Sequence, residues 1–424
     1  MAPFSGAGVV PPLPKRLRTT APGPASAGSV SPIPDDVLFF QILILLPVKC
    51  LLRLRSVCKL WRATLASTHF VHRHLEHSRT SPSMVIMPRK YQRYYKNFGI
   101  YGVSFYGFQP GQSKVAKLIL EKRCPGGIPM FSIPLHCDGL IMIPCITSRI
   151  FLCNPATREF VELPQGSPNI GEGQRVAFGF DPWCGKYKVA RHFLRSSGSE
   201  KETQADGEMV MFEHSAGHEI LTIGDGEEAW KWKSTVDPPY AINARTPICM
   251  PGFFYWSALH SVTSNGHSEV SSHVILRFSL RDEMFTVYPN PPCRGFLSEN
   301  DMLCELSGKL CYIHSASPCD VAIWLAEDGP NLAWSVRCRL ILPMPRQLHV
   351  FACAWGDRDK IFLSIDAWYL LKCDLRNGSL EKIIDMARDM SYDQRNGIKF
   401  CTGEVSVAHY MLPCVESLLR IAPL

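Results

Sequence analysis

Hydrophobic residues between positions 31 and 76 recur at the spacing of amphipathic helices. The first stripe ends at Pro47 and consists of Leu38, Ile42, Leu45 and Leu46. The second stripe recurs every three or four residues, at Leu51, Leu54, Cys58, Trp61 and Leu65. A third, shorter stripe covers residues 70–75. This pattern predicts three small helices with a thin core, and we expect a partner to complete that core.

Beyond residue 80 the spacing changes to that of β-strands. Six pairs of apolar segments are each joined by a turn, and the turns lie near residues 110, 156, 225, 282, 329 and 377. Apolar and polar residues alternate cleanly in two of these hairpins, for example at Leu276, Arg277 and Phe278. The Asn377-Gly378 dipeptide is typical of a tight hairpin turn. The pattern therefore predicts six successive β-hairpins.

The distances between these turns indicate a repeat. They are about 46, 69, 57, 47 and 48 residues, and the two long intervals contain the polar stretches 196–207 and 261–272, which we interpret as loop insertions. A repeat of about 47 residues with four strands is typical of a β-propeller blade. Two further strands, 397–401 and 405–411, should complete the first blade, so that both chain ends close a ring of six blades. A seventh blade requires residues 84–100 to be more regular than they look.

The last apolar residues of the chain are expected to pack near the junction with the helices. These residues are Val415, Leu418, Leu419 and Ile421. The predicted fold is thus a small all-α domain of three helices at 31–76, followed by an all-β domain at 84–424, most simply a six-bladed propeller closed by both ends. Residues 1–30 are rich in Pro, Ala, Gly and Ser, and this composition predicts a disordered tail.

The net charge of +7 belongs to the first 80 residues, which hold ten Lys and Arg against three Asp and Glu. One face of the second stripe carries Lys49, Arg53, Arg55, Lys59 and Arg62. Because this face lacks interleaved exposed aromatic residues and forms no recognised reading motif, it indicates an acidic protein partner rather than nucleic acid.

Seventeen cysteines occur without any C-x-x-C pair, and many lie in apolar stretches. The N-terminus lacks the pattern of a secretory signal, and the apolar stretch 37–47 is about half the length of a membrane-spanning helix. These features predict a protein of the cytosol or the nucleus that is not inserted in a membrane.

Residues 47–62, P-V-K-C-L-L-R-L-R-S-V-C-K-L-W-R, resemble the central pattern of the F-box, and Ile33-Pro34-Asp35-Asp36 resembles its start. The rest of the chain resembles the F-box-associated, kelch-like domain of plant F-box proteins. The most specific phrase is F-G-F-D-P-W-C-G-K-Y-K-V at 178–189, supported by C-D-G-L-I at 137–141 and N-P-A-T-R-E at 154–159.

This resemblance implies a non-catalytic subunit of a ubiquitin ligase. The F-box would bind a Skp-family adaptor and through it a cullin, and the propeller would hold a protein substrate. The residues expected to contact the adaptor, or to support those that do, are Pro34, Leu38, Ile42, Leu46, Pro47, Leu51, Leu52, Val57, Cys58 and Trp61.

The sequence departs from the family pattern in the first helix. One extra residue lies between Pro34 and Pro47, and we expect it to rotate the first turn by about 100°. Gln41 and Leu45 also stand where the family usually has Glu and Arg. These departures are expected to weaken adaptor binding.

Two other functions stay open: a propeller scaffold with a degenerate F-box, and a propeller that binds a small ligand or a glycan. Motifs of nucleotide binding and hydrolysis are absent, so we expect no cofactor and no catalytic residues.

His69, His72, His74 and His77 lie close together in sequence, but a helix does not bring four such side chains to one point. We therefore expect no metal there.

Overall fold

The N-terminal hydrophobic stripes form a helical domain of residues 33–80 in the computed structural model. Its elements are α1 (Asp35–Val37), a π-helical turn (Leu38–Ile42), a 3₁₀ turn (Leu43–Leu45), α2 (Val48–Leu54), α3 (Lys59–Ala66) and α4 (Thr68–Arg79). The residues that the structure describes are 33–80, 83–90, 100–125, 134–145, 147–170, 174–195, 215–226, 228–243, 245–260, 272–293, 301–327, 332–343, 350–355, 357–366, 368–394, 396–402 and 407–421. The predicted tail at 1–30 lies outside them.

The second predicted helix is divided into α2 and α3. Ser56 donates its hydroxyl to the Arg53 carbonyl at 2.7 Å, and the Cys58 thiol accepts the Trp61 N–H at 3.5 Å as the N-cap of α3. These local bonds satisfy backbone groups at both helix ends, so the chain turns although the apolar spacing continues. The second predicted helix is consequently two separate helices in the structure.

The extra residue of the first helix is accommodated by the π-helical turn. The Leu43 N–H donates to the Leu38 carbonyl, five residues back, where an α-helix would use the carbonyl four residues back. A π turn absorbs one inserted residue locally. The expected rotation of the whole first turn is therefore replaced by a bulge within it.

Among the described residues beyond the helical domain, 27 strands form six sheets, which confirms the six-bladed β-propeller. The first blade contains β1 (Ser83–Lys90), β2 (Ile100–Phe108), β3 (Val115–Pro125), β25 (Ser391–Asp393), β26 (Lys399–Phe400) and β27 (Val407–Cys414). The second contains β4 (Leu135–Cys137), β5 (Leu140–Pro144), β6 (Ile150–Asn154) and β7 (Glu159–Glu162). The third contains β8 (Arg175–Asp181), β9 (Lys186–Arg195), β10 (Ser215–Ile223) and β11 (Trp232–Ser234).

The remaining three blades repeat this antiparallel order. The fourth contains β12 (Ala241–Ile242), β13 (Ile248–Met250), β14 (Phe253–His260), β15 (Ser272–Ser279) and β16 (Phe285–Pro289). The fifth contains β17 (Met302–Leu306), β18 (Lys309–Ser315), β19 (Asp320–Glu327) and β20 (Ala333–Ile341). The sixth contains β21 (Val350–Trp355), β22 (Asp357–Ile365), β23 (Tyr369–Asp374) and β24 (Ser379–Asp385). All six predicted hairpins are present, as β2–β3, β6–β7, β10–β11, β15–β16, β19–β20 and β23–β24.

Both ends of the propeller domain meet in the first blade, as predicted. The innermost strand is β27, which pairs antiparallel with β1 from Ser83 opposite Cys414 to Lys90 opposite Val407. The placement of the other late strands differs from the prediction, because β25 pairs with β3 and puts β26 at the outer edge. Strand β1 is regular, but it belongs to this blade and makes no seventh one.

Each pair of neighbouring blades encloses its own apolar core, so that six cores alternate with six sheets. The inner strands contact each other in a closed circle, in the order β27, β4, β8, β13, β17 and β21. Since strands alternate in direction, the turns β4–β5 and β6–β7 lie on one face of the ring, where the helical domain also packs. The connections β9–β10 and β14–β15, which contain the two predicted insertions, leave from the opposite face. Apart from Ser272, which begins β15, the insertions lie outside the described residues.

Candidate functional site

Large apolar side chains are exposed on the helical domain. Ile42 is 42% exposed and Val57 is 57% exposed, and both were predicted to contact the adaptor. Ile33, Leu45 and Leu60 are each more than half exposed, although they are not among the predicted contact residues. Water contact with this many large aliphatic groups in so small a domain is typical of a protein interaction surface.

The ten predicted contact residues fall into three classes of burial. Those exposed are Pro34, Ile42, Pro47, Val57 and Cys58. Those half-buried are Leu38, Leu46, Leu52 and Trp61. Trp61 belongs partly to the core and partly to the surface. Its ring packs edge-to-face on Phe39 at a centroid distance of 5.7 Å, and the rest of the side chain is accessible.

Leu51 is fully buried and cannot touch a partner directly. It packs with Val48, Leu65 and Phe70 in the core of the helical domain. Leu51 therefore supports the surface from beneath.

Of the three exposed residues that were not predicted as contacts, Ile33 and Leu60 lie outside the hydrophobic stripes, whereas Leu45 belongs to the first stripe. Leu60 precedes the stripe residue Trp61 by one position, which on a helix is a rotation of about 100° away from the core. Leu45 ends the 3₁₀ turn and is exposed there. For Ile33 and Leu60, an apolar residue outside the helical stripe was the available signal.

Four of the five predicted basic residues are exposed. Lys49, Arg53, Lys59 and Arg62 form no ion pair within the part of the chain that the structure describes. Arg55 turns inward instead and donates to the Leu65 carbonyl at 3.0 Å. Burial, and after it the positive charge of Arg420, lowers the pKa of Arg55.

The thin core of the helical domain is completed by the end of the same chain. Residues 415–421, here called the C-terminal segment, follow β27 and pack against the helices. Leu418 is 1% exposed and lies in the core with Phe39 and Leu43. The Val48 N–H at the start of α2 donates to Glu416 Oε2 at 2.7 Å. The expected junction packing is present, and this part of the core needs no separate partner.

Asn154 fixes the C-terminal segment to the second blade. Its Nδ2 donates to the carbonyls of Ser417 at 3.0 Å and Leu419 at 2.9 Å, and its Oδ1 accepts the Ala156 N–H at 3.0 Å. Asn154 is fully buried, so these bonds replace its hydration completely. The N-P-A-T-R-E phrase thus begins with a residue that holds the two domains together.

Asp138 of the C-D-G-L-I phrase makes a second link. Arg79 at the end of α4 donates to Asp138 Oδ1 at 2.6 Å, and the Tyr187 hydroxyl donates to Oδ2 at 2.9 Å. Burial opposes the charge of Arg79, but the hydrogen bond and the charge of Asp138 raise the pKa of Arg79 overall. The neighbouring Gly139 has a φ of +82°, and a Cβ there would collide with the Val415 carbonyl.

The histidines of α4 point in different directions. His74 is buried, and its Nε2 lies 3.1 Å from the Leu46 carbonyl. His69, His72 and His77 are exposed. Burial lowers the pKa of His74, and the bond to Leu46 partly offsets this effect. The arrangement makes His74 a packing residue between α4 and the 3₁₀ turn.

A cavity of about 320 Å³ lies among the inner strands of the propeller. Its lining is mostly aliphatic and sulfur-containing, with Leu135, Cys249, Met302 and Leu412 from four different blades. Phe178 is the aromatic residue that lines it, among the described residues.

Within the part of the chain described, no helix has the length and apolarity needed to cross a membrane.

Comparison with known proteins agrees with this architecture. Residues 32–73 match the F-box domain, and residues 102–383 match the F-box associated beta propeller domain. Among relatives, the F-box protein At3g07870 of Arabidopsis thaliana is 24% identical over 342 residues, covering 79% of this chain and 78% of that protein. The F-box protein At2g21930 of the same plant is 26% identical over 361 residues, covering 80% of this chain and 81% of its own.

Solved structures that match this chain at low similarity include two oligogalacturonate lyases. One, from Vibrio parahaemolyticus, has a TM-score of 0.41 and 11% identity and covers 77% of this chain and 90% of its own. Another, in complex with manganese, has a TM-score of 0.40 and 11% identity, with coverages of 71% and 79%. The matches of both domains, in this order and over most of the chain, give the assignment: this chain belongs to the F-box proteins that carry an F-box associated beta propeller domain.

Proposed function

We propose that this chain is the substrate-receptor subunit of a Skp–cullin–F-box ubiquitin ligase. The F-box, which is the helical domain, binds a Skp-family adaptor and through it a cullin, and the propeller binds a protein substrate. The observation that carries the proposal is the exposure of Ile42, Val57 and Leu60 on the F-box, whose own core is already complete without them. Burial of such groups by a partner contributes roughly 25 cal/mol per Å² of apolar surface.

The charge of the F-box supports an acidic partner surface. Lys49, Arg53, Lys59 and Arg62 are exposed, and complementary charges on the adaptor would raise the rate of association. Because exposed charges are screened within about 8–10 Å at physiological salt, this contribution should fall as salt is added. The apolar contacts should persist.

We propose that this chain acts by holding a substrate close to the ubiquitin-charged enzyme and contributes no catalytic residue. The C-terminal segment and the Arg79–Asp138 bond hold the F-box on one face of the propeller. A substrate bound to the propeller would then be kept at a fixed distance from the ligase, which raises the effective concentration of its lysines near the ubiquitin-charged enzyme.

The two other functions, a scaffold with a degenerate F-box and a glycan-binding propeller, predict different properties. A scaffold with a degenerate F-box would show no adaptor binding, and the π-helical turn shows that the extra residue is absorbed locally. A glycan-binding propeller would present a channel rich in aromatic and polar groups, whereas the cavity described above is mainly aliphatic. The ligase subunit is therefore the function that the geometry favours.

The test is affinity purification from plant cells with the proteasome blocked. The wild-type chain is compared with the double variant Ile42→Asp, Val57→Asp, and with Val236→Asp, which places the same charge at a propeller residue that is 48% exposed. The wild type and Val236→Asp should recover the adaptor, the cullin and ubiquitinated substrate. The double variant should recover substrate without ligase. Equal recovery of adaptor by all three proteins contradicts the proposal.

We also propose that the protein works in the cytosol or the nucleus. Cys304 and Cys311 lie opposite each other on β17 and β18 as buried free thiols. Their mutual hydrogen bond, together with burial, raises the pKa of Cys304 well above the usual range, which keeps the thiol protonated. A fluorescent fusion tests this location.

A further inference from the structure

Three metal-ligating side chains converge between the fourth and fifth blades. Cys293 follows β16 in the connection between these blades, and Asp301 directly precedes the inner strand β17. His314 lies near the end of β18. The register pairs Met302 with Ile313, so the next pair along the ladder places Asp301 opposite His314.

The donor atoms of the three residues lie within 4.8 Å of one another. His314 Nδ1 is 2.9 Å from Asp301 Oδ2. Asp301 is 1% exposed and His314 is 4% exposed, while Cys293 is half-buried. A sulfur, a nitrogen and an oxygen therefore face one another at the edge of the protein interior.

Neighbouring groups hold the carboxylate in place. The Ser315 N–H donates to Asp301 Oδ1 at 2.9 Å, and the Tyr312 hydroxyl donates to Oδ2 at 2.9 Å. Tyr312 in turn accepts a bond from Asn290 Nδ2 at 3.1 Å. Such outer hydrogen bonds orient the ligands of metal sites. The His314 Nε2 is buried and has no hydrogen-bond partner within the described residues, so internal bonds do not satisfy the imidazole.

We propose that Cys293, Asp301 and His314 bind a divalent transition metal, of which Zn²⁺ is the best match. Zn²⁺ takes cysteine sulfur, histidine nitrogen and carboxylate oxygen in tetrahedral sites, whereas Mg²⁺ and Ca²⁺ prefer oxygen ligands alone. A thiolate and a carboxylate together supply two negative charges for the divalent ion. Binding releases the thiol proton and the proton shared by His314 and Asp301 to solvent. Three protein ligands leave one position for water or for a donor atom of a bound protein.

The proposed metal site lies away from the exposed F-box residues that we propose to bind the adaptor. The inner strands end on the face that carries the F-box, and Asp301 stands at the beginning of β17, on the opposite face of the ring. The competing explanation is a purely hydrogen-bonded link, in which Asp301 ties the start of β17 to the end of β18. That link requires no Cys293 and no metal.

The experiment is metal binding by the purified full-length protein, measured as zinc content and by titration with Co²⁺. Asp301→Asn is unsuitable alone, since it replaces one of the two oxygens that accept bonds from Ser315 and Tyr312 and so also disturbs the fold at the start of β17. Cys293→Ser removes the half-buried ligand with little effect on packing. Cys319→Ser, at another half-buried cysteine of the fifth blade, is the matched control.

We expect one metal ion per chain for the wild type and for Cys319→Ser, with the thiolate-to-cobalt absorption of a tetrahedral site. Cys293→Ser should lose that absorption and bind at least about tenfold more weakly, and Tyr312→Phe, which removes an outer bond, should lose about tenfold. Absence of bound metal in the wild type, or the same cobalt spectrum in Cys293→Ser, overturns the proposal and leaves the hydrogen-bonded link.

Discussion

Glu416 and Val48 are 368 residues apart in sequence, yet the Glu416 carboxylate accepts the Val48 backbone N–H at 2.7 Å. The bond satisfies a free N–H in the first turn of α2 and places a negative charge at the positive end of that helix. The last residues of the propeller thus help to form the F-box. Folding of the F-box and closure of the propeller ring are coupled through this contact.

Replacing Glu416 should loosen the F-box without affecting the blades. Because Glu416→Ala removes a capping acceptor, we expect a loss of about 0.5–2 kcal/mol in the stability of the helical domain. Hydrogen exchange of residues 48–54 measures it. The control is Glu76→Ala, since Glu76 forms an exposed ion pair with Arg73. Equal protection of α2 in both variants would show that the cap has no energetic role.

Truncation of Leu418 should weaken adaptor binding from outside the F-box sequence. Leu418→Ala leaves a cavity beside Phe39 and Leu43, and such changes cost about 2–5 kcal/mol. Chemical denaturation and adaptor affinity should both decline. Ile398→Ala, at a residue that is 58% exposed, serves as the comparison. If Leu418→Ala leaves the adaptor affinity unchanged, the packing of the C-terminal segment against the F-box does not contribute to adaptor binding.

Removal of β27 should open the ring. A chain that ends at residue 406 lacks the innermost strand of the first blade, so β1 exposes its edge and two apolar cores lose one side. We expect aggregation, measured by light scattering after size-exclusion chromatography. A chain that ends at residue 421 is the control and should stay monomeric. A monomeric, cooperatively unfolding 1–406 fragment is incompatible with closure by β27.

His218 should make the propeller sensitive to acid. It is fully buried, its Nδ1 lies 2.6 Å from the Thr235 hydroxyl, and its ring packs on Phe278 and Phe285. Burial, and then the nearby His192, lowers the pKa of His218 from 6.5 to about 3, with Asp237 acting in the opposite direction. The unfolded chain therefore binds the proton more readily than the folded one.

Stability should consequently fall as the pH decreases from about 6.5 towards 3, by up to about 1.4 kcal/mol per pH unit from this group. Urea unfolding at pH 7 and pH 5 measures the slope. His218→Leu should reduce the slope even if its stability at pH 7 is lower, whereas the exposed His72→Gln should not. A slope that is the same in all three proteins would assign the acid sensitivity to other groups.

The blades could be predicted because each hairpin carries its own evidence: alternating residues such as Leu276 and Phe278, and a turn such as Asn377-Gly378. In the structure Gly378 has a φ of +70°, the conformation that this turn requires. The strand β1 could not be recognised, because its apolar residues are buried on both faces and show no alternation. Its pairing with β27 depends on a contact across more than 300 residues.

The F-box surface could be predicted only in part. Ile42 and Val57 are exposed as expected, but the apolar spacing does not distinguish them from Leu51, which is buried. For Val57 the difference arises from the turn between α2 and α3, which is set by the hydrogen bonds of Ser56 and Cys58, whereas Ile42 lies at the end of the π-helical turn. The cluster of Cys293, Asp301 and His314 has no linear motif, because the pairing of β17 with β18 brings Asp301 and His314 together and Cys293 comes from the connection after β16.

The most direct test of the account is the affinity of the purified full-length chain for a purified Skp-family adaptor, measured by isothermal titration calorimetry. Wild type and Val236→Asp should bind with equal affinity and a negative heat-capacity change, since apolar surface is buried. The double variant Ile42→Asp, Val57→Asp should keep the same thermal unfolding and lose at least about 100-fold in affinity, which is close to 3 kcal/mol. Unchanged binding by the double variant, or no binding by the wild type, would contradict the assignment of the exposed F-box residues as the adaptor surface.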